Sequence, residues 1–250
     1  MPAEREFTKP TGAVHIPRRA FYAVQVAAVT VLIALAVGRD VLAARYGNST
    51  LDLMTRMFDL NLENSVPTWF SMLNLLIASV LLFAIYRHGK ERGDPLTVYW
   101  LSLSLLFFAL SAEEIIGMHE RATKFQSVTG VLIPVIQTNS WLLYGGVFAL
   151  VTFLFFIPFL RRLDRRTAVL FLLSGGVFLS GALGFEFVQA FLAYQGLATG
   201  QEHADRLYMI LEEGGEMYGI ALFNCTLFAR IVSQGITLAV RAGPDQPAAP

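Results

Sequence analysis

Long apolar runs broken by short charged stretches organise this chain. A helix needs about 20 mostly apolar residues to span a bilayer. Six runs reach that scale, at residues 20–37, 66–86, 96–118, 140–160, 167–194 and 207–232. They predict an all-α fold, a polytopic integral membrane bundle of about six transmembrane helices. The first run, AFYAVQVAAVTVLIALAV, follows Arg18-Arg19 and ends in Ala34-Leu35-Ala36, features shared with a cleaved signal peptide. Its length and the many spans after it favour an uncleaved first helix. The expected organisation is a tail over 1–19, a transmembrane domain over 20–233 and a disordered tail over 234–250. The segment VTGVLIPVIQT, 128–138, is too short to span and is expected in the interface or as a re-entrant piece.

Composition agrees with the pattern. The chain is 55% hydrophobic and 15% charged, where soluble domains carry about 25% charged residues. Mean hydropathy is +0.54. The single cysteine, Cys225, excludes an intrachain disulfide, a cysteine zinc site and a CxxC redox pair. Net charge is zero, so nothing in the bulk charge draws the chain to nucleic acid.

The distribution of charge sets orientation. Counted against six spans, thirteen Lys and Arg fall on one side and six on the other. The loop RRLDRR, 161–166, is the strongest single signal. Lys and Arg accumulate on the cytoplasmic side, so both termini are expected there, in a bacterial cytoplasmic membrane. The acids reverse the trend. Thirteen of nineteen lie outside or in the outer halves of helices.

Several of those acids sit inside the apolar runs. Glu113 and Glu114 end the third, Glu186 lies in the outer third of the fifth, and Glu212, Glu213 and Glu216 open the sixth. Glu63 stands just before the second. Topology therefore delivers carboxylates from several segments to a similar depth. At about 100° per residue, Glu113, Gly117 and Glu120 share one helix face, and Glu212, Gly215, Glu216 and Gly219 share another. Gly176, Ser180 and Gly184 form a small-residue stripe in the fifth run, with Glu186 pointing nearly opposite Gly184. Such stripes let helices approach closely. A charged acid at mid-membrane depth costs on the order of 3 kcal/mol, so a cluster of them calls for a shared cation or shared protons. The bland alternative is acids at the water interface, paired with Arg121, Lys124 and Arg206 and capping helices.

A metal site is one candidate, since carboxylate and imidazole suit Fe, Mn or Zn. The predicted ligands are Glu113, Glu114, His119, Glu186, Glu212, Glu213 and Glu216. A di-iron bundle wants Glu-x-x-His pairs, and none is present. His119 lies off-phase from Glu113 unless the helix breaks at Gly117. His15 and His88 are expected to be solvated, and a haem shared by His119 and His203 has little to support it. No nucleophile triad, phosphate loop or dinucleotide fingerprint stands out. A through-membrane cation path is the other candidate. Ser102, Ser104 and Thr226 are thin material for it, because such hydroxyls usually bond back to their own helix. The pattern favours a site open to the outer side.

Three patches carry a resemblance: FDLNLENSVPTWFS (58–71), SAEEIIGMHE (111–120) and LEEGGEMYG (211–219). Together they resemble an uncharacterised family of bacterial multipass membrane proteins. The resemblance implies a bacterial inner-membrane protein and imports no activity. The expected function is binding of a cation, metal ion or proton, for transport or sensing. The alternatives are a metal-dependent membrane enzyme acting on a lipid or quinone, and a structural or assembly protein with a polar core. A divalent metal ion is the one cofactor suggested. The expected partners are the lipid bilayer and a small cation, with a homo-oligomer left open.

Overall fold

The computed structural model describes residues 16–46, 55–62, 64–118, 141–197 and 202–237, without the side chains of 202–204. His119, Glu120, Arg121, Lys124, the segment 128–138, Glu63, His15 and both expected tails beyond these limits lie outside the described residues, as does the side chain of His203. Six helices and one 3-10 turn make up the described chain, with no strand among the described residues. They are α1 (Arg18–Tyr46), the turn Arg56–Phe58, α2 (Val66–Glu91), α3 (Thr97–Ile116), α4 (Trp141–Leu160), α5 (Arg165–Tyr194) and α6 (Glu202–Ser233). A π-helical segment, Ser180–Phe185, interrupts α5.

The helix ends follow local chemistry. The sequence pattern ends the first span near residue 37, yet α1 continues to Tyr46. Its charged last turns are held by Arg39, which pairs with Asp40 at 2.9 Å and with Asp59 at 2.9 Å beside the 3-10 turn. At the start of α2 the Ser65 hydroxyl accepts from the Thr68 backbone N–H at 3.3 Å, with Pro67 in the first turn. Gly117 ends α3 in the left-handed region at φ 61°, where its N–H donates to the Glu113 carbonyl at 2.8 Å. The helix therefore stops at Ile116, and the face expected to unite Glu113, Gly117 and Glu120 is broken at its middle member. Asp164 caps α5 by accepting from the Thr167 N–H at 2.9 Å. Chiefly that hydrogen bond holds its carboxyl below the ordinary value of 3.8, against a smaller opposing effect of burial.

Helix α6 is the centre of the bundle, packed by α1, α2 and α5. Against α1 it stacks Phe228 on Phe21, centroids 4.3 Å apart, and bonds Tyr218 to Thr30 at 2.8 Å. Against α2 it sends the Asn224 amide to the Asn74 carbonyl and to Asn74 Oδ1, at 3.0 and 3.1 Å. Against α5 it packs through glycine. A Cβ on Gly219 would lie 2.6 Å from the Phe178 nitrogen, and one on Gly181 would lie 2.5 Å from the Glu212 carbonyl oxygen. The expected stripe of Gly176, Ser180 and Gly184 is not the contact. A Cβ at Gly176 meets nothing within 4 Å, and Gly176 and Ser180 instead line a shallow outward groove with Leu172 and Leu173. Gly181, next to Ser180 in sequence, faces α6 while Gly176 and Ser180 line the outward groove.

Helix α3 pairs with α2 over most of its length. Ser79 and Ser104 exchange hydroxyl-to-carbonyl bonds of 2.8 and 2.9 Å across that contact. Ser102 and Thr226 bond back to their own helices as expected, whereas Ser104 does not. Towards the arginine-rich 161–166 loop, Trp100, Phe159, Phe171 and Leu227 fill one core. Arg230 lies 4.9 Å above the Trp100 ring and 3.4 Å from Asp164. At the carboxylate end, Val29, Leu32, Ala36, Leu60, Met217 and Ala221 fill a second core.

Five helices, α1 to α5, are long and apolar enough to cross a membrane. Helix α6 carries the acids, which lower its hydropathy, but its 32 residues run alongside the others. Large apolar side chains face outward along α4, among them Phe148, Val151 and Leu154. That much exposed apolar surface suits lipid, not water.

Gly219→Ala is expected to destabilise the bundle by about 1–3 kcal/mol, the usual cost of overpacking. Gly176→Ala should be neutral or stabilise by up to about 1 kcal/mol, the gain in helix propensity. Thermal unfolding in detergent compares the two. By the same assay Asp164→Ala should cost about 1 kcal/mol, as lost caps do. The wild-type advantage holds above pH 3.8 and disappears as pH falls through the lowered folded-state value.

Candidate carboxylate site

Three helices bring their acids to one end of the bundle. Glu114 stands in the last turn of α3, Glu186 directly after the π-helical segment of α5, and Glu212, Glu213 and Glu216 on consecutive turns of α6. Glu216 is at the centre of the group. It lies within Coulombic reach of Glu213, Glu114, Glu212 and Glu186. All five residues are half-buried.

The glycine contact positions this group. Gly181 of α5 sits against the backbone of α6 between the Glu212 carbonyl and the Glu216 nitrogen. The Glu216 side chain shares that contact, its Cγ lying 2.9 Å from where a Cβ on Gly181 would stand. The π-helical segment beginning at Ser180 then alters the phase of α5. Its wider turns rotate the chain less per residue than an α-helix does. Faces counted in regular steps from Gly176 therefore do not carry past this segment, while over the two residues from Gly184 the difference is small and Glu186 still lies nearly opposite Gly184. Glu186 accepts a 2.7 Å hydrogen bond from the Trp141 indole Nε1. Trp141 opens α4, so a fourth helix is tied to the cluster.

The remaining predicted residues divide. Glu113 is half-buried like Glu114, but adjacent residues on a helix point about 100° apart. Its main-chain carbonyl serves the Gly117 cap. His119 lies outside the described residues. Arg206, expected to pair with acids at this end, meets Asp40 at 3.8 Å. Trp141 was missing from the predicted set. The available signal was a tryptophan at the start of an apolar run, which reads equally as an ordinary interfacial anchor.

Among the described residues, no group of three or more His, Cys, Asp or Glu side chains is arranged to hold a metal ion. The carboxylates share an electrostatic field without already forming one coordination shell. Such a group can take up protons, or a cation after side-chain rearrangement.

The fold and this cluster define a class: a helical bundle with five helices long and apolar enough to cross a membrane and acids gathered at one end. A family model described as a domain of unknown function, DUF8692, matches residues 23–231, and the chain belongs to that family. No curated protein and no solved structure matches the chain.

Trp141→Phe keeps the ring and removes the donor to Glu186. It should lower stability by about 1 kcal/mol, a typical net hydrogen bond, read as a drop in unfolding temperature. Glu186→Gln retains an acceptor oxygen, and adding Trp141→Phe to it should cost less than in the wild type. Equal costs in the two backgrounds would show that the carboxylate charge adds nothing to the bond.

Proposed function

We propose that this protein binds a cation at the carboxylate cluster, in a bacterial cytoplasmic membrane with both termini in the cytoplasm. That orientation turns the acids to the outer side and the 161–166 arginines inward, as the positive-inside rule requires. The carrying observation is the convergence of acids from α3, α5 and α6 on Glu216. Acids held in a bundle of apolar helices repel one another and lose hydration. A bound cation or shared protons relieve both costs.

A proton is favoured over a resident metal because the described carboxylates form no ready coordination shell. A divalent ion remains the alternative cargo, with Glu114, Glu186, Glu212, Glu213 and Glu216 as the carboxylates able to move onto it. Glu113 and His119 complete the proposed ligand set from the end of α3. Metal-dependent lipid or quinone chemistry would need that same rearrangement. A purely structural role has less support. The helices already hold together through the Asn74–Asn224 and Ser79–Ser104 bonds and through glycine contacts.

Glu114→Gln/Glu216→Gln tests the proposal. In detergent, wild-type unfolding temperature should respond to pH, or to added Mn²⁺ or Zn²⁺, and the double variant should lose most of that response. Metal analysis of the purified proteins separates the two cargoes, since stoichiometric metal lost in the variant identifies an ion site. An identical pH and metal response in both proteins would sink cation binding at this cluster.

A further inference from the structure

Deeper in the bundle a second polar group is found, made of amides and separate from the acids. Asn74 of α2 is 2% exposed, Asn224 of α6 is 0% exposed, and Gln25 of α1 is 5% exposed. Asn224 lies eight residues beyond Glu216, about 12 Å along the helix at 1.5 Å per residue. The register of α1 on α6 is fixed by Phe21 with Phe228 and by Thr30 with Tyr218. Interpolating between those pairs sets Gln25 level with residues 223–224. Gln25 shares the buried face of α1 with Val29, Leu32 and Ala36.

The amides satisfy one another only in part. Asn224 Nδ2 donates to both oxygens of Asn74, which fixes the orientation of each amide: turning either would set like atoms together. That leaves Asn74 Nδ2, a donor, and Asn224 Oδ1, an acceptor, buried without a partner among the described residues. Gln25 Oε1, another acceptor, is in the same condition. An unsatisfied buried polar atom costs about 1–3 kcal/mol. Three at one depth of a membrane protein form a site for something that both donates and accepts.

We infer that the Gln25, Asn74 and Asn224 amides bind a single water molecule between α1, α2 and α6. Water accepts from Asn74 Nδ2 and donates to Asn224 Oδ1 and Gln25 Oε1, making the three bonds common for a buried water. A metal cation fits poorly, because the Asn74 amide hydrogens would face it. An apolar ligand would leave all three atoms unpaired. Water can also serve either end of the Gln25 amide. The inference is independent of cation binding at the carboxylates, although it adds a polar station inward of them on the same helix.

The test uses the full chain, with Gln25→Met as the principal variant because it keeps length and volume. With water bound, Gln25→Met strips the water of one partner, and the unfolding temperature should fall by about 2–4 °C, the shift for roughly 1 kcal/mol in a chain of this size. An experimental structure at water-resolving resolution should show solvent density within hydrogen-bond distance of Asn74 Nδ2 and Asn224 Oδ1. An unchanged or raised unfolding temperature would overturn the inference, since removing an orphaned acceptor is neutral or stabilising. So would a dry site in that structure. A stabilisation by Na⁺ or K⁺ at constant ionic strength that Gln25→Met abolishes would also overturn it, by identifying an ion instead. Glu114→Gln/Glu216→Gln should leave this density in place, which keeps the amide site distinct from the carboxylate site.

Discussion

Main-chain contact between α5 and α6 is the constraint on which the rest of the bundle depends. Lipid offers helices no hydrophobic reason to associate, so close packing and interhelical polar bonds must supply one. Gly181 and Gly219 bring the two backbones together where a side chain would collide, and Gly215 packs tightly beside Gly181. That approach sets the depth of Glu186 relative to Glu216 and lays the Glu216 side chain against Gly181. A wider separation would let the acids disperse into separate interfacial positions. The same packing that stabilises the pair therefore concentrates its charge.

Helix α2 performs the complementary task. It joins α3 by paired serines and α6 by paired asparagines, at different depths. These bonds are made where no water competes, and each also satisfies groups that would otherwise be costly. Helix α4 stands apart from this scheme. Its buried side chains are Leu142 near one end and Phe156 and Phe159 near the other, with long apolar stretches outward between them. Its indole bond to Glu186 is thus an anchor for the least enclosed of the six helices.

The architecture was legible in the sequence because the bilayer imposes a length on every apolar run. Each of the six runs became a helix, and the glycines of α6 were correctly read as contact residues. Three features escaped for physical reasons. Regular phase could not anticipate the π-helical turn, so faces counted from Gly176 do not carry through to Glu186. Gly181 was passed over in favour of Gly176 because spacing alone cannot say which small-residue stripe faces protein. The asparagines and Gln25 attracted no notice, since a lone amide in an apolar run has no partner until the fold supplies one. Acids, by contrast, were conspicuous because their cost in a membrane is large whatever surrounds them.

The π-helical segment of α5 has a consequence for how such a site is built. Six residues, Ser180–Phe185, take wider turns and reset the azimuth of all that follows. None of them carries a charge. The direction of the Glu186 carboxylate is thus encoded in chain length, not in the chemistry of its neighbours. A single-residue deletion within that segment could restore an unbroken α-helix with nearly unchanged hydropathy, still long enough to span. Because six residues in wider turns rotate the chain about as far as five α-helical residues do, the Glu186 carboxylate would still face Trp141 and α6. In this helix the wider turns absorb one residue, so faces beyond them are counted as though the chain were one residue shorter.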